Sequence, residues 1–192
     1  MNNRSADNRE RILDAALQVF SQHGFASSGM RMIAAEAGVS VGAVYLYFRN
    51  KEELYLTLLL QLMEDLEEMT RNALQGIDDP AAALAEFIRV SIDFALRYRS
   101  MILLQGRELG FAFGMESRRS FFRRRRGLIE DIVGKGISDG VFAESDPVQA
   151  GRLIFSMLRG FMVSMVYDEE GLFDTESCVQ FVLRSLRVQS NQ

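Results

Sequence analysis

The sequence predicts an all-α protein. Apolar residues recur at helical spacing along almost the whole chain. Only two prolines occur in 192 residues, too few for a chain built of many turns. No run alternates apolar and polar residues as a half-buried strand would, and no internal repeat is visible.

Taken in order, the elements are about nine helices. Ile12, Ala15, Ala16, Val19 and Phe20 form the apolar stripe of the first. Asp7 with Glu10 looks like a capping box at its start, and Gly24 suits a left-handed residue at its end. Two short helices follow, over 30–37 and 41–48, joined by Ala37-Gly38-Val39-Ser40. Gly38 can take positive φ there, and Ser40 can cap the second helix. Asn50 and Glu53 open a long helix with Leu54, Leu58, Leu62, Leu66 and Met69 on one face. It breaks at Gly76-Ile77-Asp78-Asp79-Pro80, before a stripe from Leu84 to Leu96. A less regular helix is expected over 100–113, then one over 117–138 closed by an Asp139-Gly140 turn. Asp146-Pro147 is a cap followed by proline at the first helical position. That helix carries Leu153, Met157, Phe161 and Met165, and Asp174 caps a last one.

Charge and composition narrow the function. A lone cysteine, Cys178, excludes an internal disulfide and suits a reducing, cytoplasmic setting. The first ten residues lack the apolar core of a secretory signal, and no apolar run is long enough to cross a membrane. One histidine, His23, and one cysteine leave no metal-ligand cluster, and no phosphate-binding glycine loop or catalytic triad is recognisable. No enzyme activity, metal or cofactor is therefore expected. The net charge of −4 argues superficially against nucleic acid. Residues 1–51, however, hold six basic and four acidic side chains, a net +2, leaving −6 for the remainder.

Residues 29–48 read as a helix-turn-helix, whose second helix can enter the major groove of DNA. Val44 and Phe48 are placed to face inward, leaving Tyr45 and Tyr47 on other faces. Gly42 permits close backbone approach, and tyrosine hydroxyls can bond to phosphates. A pair of short helices around a glycine turn also serves as plain scaffold, so spacing alone leaves both readings open.

The run Met30-Arg31-Met32-Ile33-Ala34-Ala35-Glu36-Ala37-Gly38-Val39-Ser40, continued through Tyr45-Leu46-Tyr47-Phe48-Arg49-Asn50-Lys51-Glu52-Glu53-Leu54, closely resembles the N-terminal domain of TetR/AcrR-family transcriptional regulators. The likeness covers about residues 9–56. It implies a helix-turn-helix DNA-binding domain over 1–50 and a ligand-binding and dimerisation domain over 51–192. It further implies a homodimer that occupies a palindromic operator as a repressor and leaves it when a small lipophilic effector binds. Carried over residue by residue, Arg31, Ser40, Gly42, Ala43, Tyr45, Leu46, Tyr47 and Lys51 match positions that face double-stranded DNA in the family. Three residues depart from the pattern: Gly29 where Ser or Thr often caps, Val41 where Lys is frequent, and Ala43 where Thr is common. These departures keep open an alternative, a dimeric ligand-sensing or protein-interaction module of the same fold that does not bind DNA.

In the body, Ser156, Gly160 and Ser164 recur every four residues and let another helix approach closely. With Val179, Val182, Leu183 and Leu186 of the last helix they are candidates for the dimer interface the resemblance implies. Leu62, Phe94, Phe111, Phe122, Met157 and Phe161 are candidate linings of an effector pocket, with Gln105 and Arg107 as polar groups within apolar runs. Such stripes equally describe plain core. The run Arg123-Arg124-Arg125-Arg126 reads either as a site for an anionic head group or as a solvated face, with Arg126 paired to Glu130. The body resembles most the fatty-acid- or acyl-CoA-responsive members of the family.

Overall fold

Short-range capping chemistry sets most of the helix ends. The computed structural model describes residues 3–99, 101, 115–167 and 174–187, and among them it contains eight α-helices. These are α1 (Asn3–Ser27), α2 (Met30–Ala37), α3 (Val41–Tyr47), α4 (Lys51–Leu74), α5 (Pro80–Arg97), α6 (Met115–Ser138), α7 (Pro147–Tyr167) and α8 (Thr175–Ser185). The helix expected over 100–113 falls almost wholly outside the described residues.

The expected caps form at α3, α4, α7 and α8. Ser40 Oγ accepts from the Ala43 N–H at 3.1 Å. Asn50 Oδ1 accepts from the Glu53 N–H at 2.7 Å, while Glu53 reaches one residue further back, accepting from the Arg49 N–H at 2.8 Å. Asp146 Oδ1 accepts from Val148 N–H, and Asp174 Oδ1 from Ser177 N–H. The Ser177 hydroxyl also donates to Asp174 Oδ2 at 2.6 Å, and this bond, with that from the Ser177 N–H, holds the Asp174 carboxyl below its ordinary pKa.

α1 departs from expectation at both ends. It already runs from Asn3, so Asp7 and Glu10 lie within the helix and do not start it. Gly24 takes positive φ as expected, but at φ 76° and ψ 169° it is extended, not left-handed helical. The chain therefore kinks at Gly24 and regains one helical turn before α2. Only glycine occupies that region readily.

α2 begins at Gly29 without any side-chain cap. Gly29 sits at φ −144°, open to any residue, and a β-carbon there would meet nothing within 4 Å. Gly29→Ser is therefore expected to stabilise the protein by about 1 kcal/mol, part from the new cap and part from a less free unfolded chain. Thermal unfolding followed by circular dichroism checks this. An unchanged or lower midpoint would mean the hydroxyl does not reach the first-turn N–H groups.

The described residues form two compact units, which divide within α4, between Glu64 and Asp65. One unit runs from α1 to Glu64 and takes in Tyr98, Arg99, Met101 and Met115. Its core is built from Ile12, Ala16, Phe20, Ile33, Val44, Phe48, Leu54 and Leu58. Phe20, Phe25 and Tyr55 form a ring trio with centroids 5.3–5.6 Å apart, Tyr55 meeting each phenylalanine edge to face.

The other unit holds Asp65–Arg97 and the described chain from Glu116 onward. Here α5 packs against α7 and α8. Leu84, Phe87, Ile88 and Ile92 meet Ile129, Val133, Ile154 and Leu158 in its core. Val179, Val182 and Leu186 also lie in this core, with Leu183 packed against it. Within this single chain, therefore, Val179, Val182 and Leu186 are covered by their own unit, and Leu183 is partly buried against it. The apolar residue that α8 leaves outside is Phe181, 60% exposed.

Candidate nucleic-acid interface and ligand cleft

The turn between α2 and α3 is fixed from three directions. Gly38 is left-handed at φ 64° and ψ 35°. Its N–H donates to the Ala35 carbonyl and the Val39 N–H to that of Ala34, which closes α2 in a Schellman pattern. Arg11, from α1, donates to the Ala37 carbonyl at 2.7 Å. Arg11 is thus engaged in holding the motif together, and Arg9 lies over the Phe48 ring at 5.7 Å.

On this support α3 turns Val44 and Phe48 inward, both essentially buried, as the i, i+4 spacing predicts. Tyr45 is 53% exposed and Leu46 84% exposed. Ser40, Gly42 and Arg31 are exposed, while Ala43 and Tyr47 are half-buried. The structure therefore brings Ser40, Gly42, Tyr45 and Leu46 to one short outward-facing helix and its cap. An apolar side chain as large as Leu46 is thus left in water by its own chain.

Lys51 is placed differently from a free phosphate donor. Its ammonium donates to the carbonyls of Phe25 at 2.6 Å, Ser28 at 2.9 Å and Ala26 at 3.4 Å. It also lies 4.3 Å from the centre of the Phe25 ring. Lys51 clamps the end of α1 and the entry to α2, a role that its distance along the chain from those carbonyls hides.

In the second unit a cleft of about 660 Å³ opens between α4 and α6. It is lined by Glu67, Thr70, Arg71, Asn72, Leu74, Gln75, Arg124, Arg125 and Leu128. None of the expected pocket residues is among them. Leu62 and Phe94 are buried by packing, and Met157 and Phe161 pack against the core of their unit. Phe122 packs at a tilt on Phe121 and edge to face on Phe155, and it carries Arg159 over its ring at 4.8 Å. Gln105, Arg107 and Phe111 lie outside the described residues.

The four consecutive arginines separate sharply. Arg126 pairs with Glu130 at 3.0 Å, as the spacing suggests, and Arg124 bonds to Glu67 at 2.8 Å. Arg123 is exposed. Arg125 turns inward and is only 6% exposed. It donates to Thr70 Oγ1 at 3.0 Å and to Ser91 Oγ, and it lies over the Phe87 ring at 4.5 Å. Desolvation pulls its pKa down to about 10, so it remains cationic at neutral pH. A helix advances about 100° per residue, so one of four neighbours had to face in; nothing in the run itself says which.

On α7 the predicted small residues Ser156, Gly160 and Ser164 are exposed. Leu153, 70% exposed, and Val163 flank them, and a β-carbon at Gly160 would meet nothing within 4 Å. No described helix is long and apolar enough to cross a membrane.

Comparison with known proteins agrees with the helix-turn-helix geometry. Residues 12–58 match the family of bacterial regulatory proteins, tetR family. The chain is 30% identical over 144 residues to the fatty acid metabolism regulator protein of Bacillus subtilis, covering 74% of this chain and 69% of that one. Among solved structures it is similar to the fatty acid degradation regulator FadR from Bacillus halodurans, with a TM-score of 0.74 at 23% identity, covering 96% of each chain. It is also similar to a transcriptional regulator from Saccharomonospora viridis in complex with choline, with a TM-score of 0.81 at 19% identity over 92% of this chain and 94% of that one. At those identities the two structures speak for the fold. The sequence match across the helix-turn-helix, a relative that spans most of both chains and the all-helical architecture together make this chain a member of the TetR family, a DNA-binding transcriptional regulator and not an enzyme.

Proposed function

We propose that the protein is a repressor that occupies a palindromic operator as a homodimer in the cytoplasm and releases it when a small lipophilic effector binds the body. The observation that carries the DNA side is α3 itself, anchored by Val44 and Phe48 and presenting Tyr45 and Leu46 outward. Tyr45, Tyr47, Ser40 and Arg31 position the protein on phosphates, Gly42 and Ala43 keep the helix start slim, and Leu46 reads a base edge. Two such helices must stand about 34–36 Å apart to enter successive major grooves. The dimer side rests on the exposed stripe of Leu153, Ser156, Gly160, Val163 and Ser164 on α7, with Phe181 on α8. Kinship with a fatty acid metabolism regulator supports a fatty acid or acyl-CoA as the effector.

Gel shifts on the intergenic DNA beside the gene test the DNA side. The wild-type protein should bind with an affinity that falls steeply with salt, because phosphate contacts release counterions. Tyr45→Ala should weaken binding by roughly tenfold, about 1–2 kcal/mol, with an unchanged sedimentation profile. No salt-dependent binding at all would favour the ligand-sensing module that does not read DNA.

A further inference from the structure

Arg125 is a buried cation without a carboxylate bonded to it among the described residues. Its two hydroxyl partners are arranged to receive it. Thr70 Oγ1 gives its own proton to the Leu66 carbonyl at 2.7 Å, and Ser91 Oγ gives its to that of Phe87 at 2.6 Å. Each hydroxyl thereby turns a lone pair toward the guanidinium. Two of the five N–H donors of Arg125 are so used. A buried guanidinium that served packing alone would cost less as a methionine or leucine, since charges taken out of water are expensive unless paired.

The cleft beside it has the sign of an anion site. Three arginines, Arg71, Arg124 and Arg125, face a single carboxylate, Glu67, a net of two positive charges. Glu67 is itself bonded to Arg124, and it acts on Arg125 through space without a bond to it. Leu74 and Leu128 supply apolar wall beside the charges. The volume of about 660 Å³ suits a small organic molecule.

We propose that the cleft between α4 and α6 is an oxyanion site, in which Arg125, with Arg71 and Arg124 at the rim, holds the carboxylate or phosphate head of an amphipathic ligand. The fork of a guanidinium matches either oxyanion, and the bond is charge-assisted. Binding there would touch α4 at Thr70 and Arg71. This inference rests on the reading of the body as an effector-binding unit.

Calorimetric titration of the intact protein with four probes tests it: sodium dodecanoate, 1-dodecanol, dodecanoyl-CoA and inorganic phosphate. The wild type should bind dodecanoate, dodecanoyl-CoA or both more tightly than dodecanol. Arg125→Met should weaken that anion about 10–100-fold and leave dodecanol unchanged. Loss on dodecanoate alone assigns a carboxylate head, and loss on dodecanoyl-CoA, accompanied by weak competition from inorganic phosphate, assigns a phosphate. Should Arg125→Met not fold, Arg71→Ala and Arg124→Ala at the exposed rim should each weaken the anion about three- to tenfold, the second also freeing Glu67 to repel it. The proposal is overturned if no anionic probe binds, if dodecanol binds as tightly, or if the folded variants bind anions normally. Gel shifts of the ligand-free protein keep the regulator reading separate, because they are unaffected by any of these outcomes.

Discussion

Lys51→Ala is expected to lower the stability of the protein and its affinity for operator together. The ammonium donates to the carbonyls of Phe25 and Ser28 at 2.6 and 2.9 Å, where α1 ends; the Phe25 carbonyl also accepts from the Ser28 N–H, at the longer distance of 3.3 Å. Charge-assisted bonds of this kind contribute about 1.5–3 kcal/mol. A loss of that size should lower the midpoint by roughly 3–10 °C for a chain of this length. Operator affinity should fall about tenfold or more, because the same bonds fix the entry to α2. Lys51→Arg should recover only part of the stability, since a planar fork cannot converge on three carbonyls as a tetrahedral ammonium does. Melting curves and gel shifts on the same preparations decide the matter. An unchanged midpoint with weakened operator binding would make Lys51 a phosphate ligand and not a clamp.

Gly136→Ala should be the most damaging single methyl group in the second unit. A β-carbon there would stand 2.1 Å from Phe142 Cδ2 and 2.4 Å from Cε2. The ring has little room to withdraw. Phe142 is buried in the core, and its N–H and that of Val141 donate to the Gly136 carbonyl at 2.9 and 2.8 Å. The overpacking should cost roughly 3 kcal/mol, set against about 1 kcal/mol gained in helix propensity. Gly127 in the same helix is the matched control. A β-carbon there meets nothing within 4 Å, so Gly127→Ala should be neutral or stabilising by up to about 1 kcal/mol. Equal melting curves for the two variants would sink the steric account.

The contrast between these two glycines shows what could be read from the chain alone. Both sit in one amphipathic segment, and no local pattern distinguishes them. By contrast, Ser40, Asn50, Asp146 and Asp174 were legible as caps because their partners lie two or three residues away. The inward turn of Val44 and Phe48 was legible for the same reason, as a consequence of helical spacing. The Asp7–Glu10 pair misled because a capping pattern fits a helix interior as well as a helix start. At α8, Val179, Val182 and Phe181 are all apolar neighbours. Only the position of α5 decides that the first two are enclosed and the third is left outside.

The sequence by itself determined the all-α class, the helix-turn-helix with its glycine turn, the caps and the family. Each depends on contacts within about four residues or on a motif whose spacing is preserved in the chain. The tertiary structure alone decided that Lys51 reaches back to the carbonyls of Phe25 and Ser28. It likewise decided which of four arginines is buried against Thr70 and Ser91, and which face of the last helix remains free. Those outcomes join residues tens of positions apart. They follow from which helix faces which, a choice that side-chain periodicity permits in several ways and close packing resolves into one.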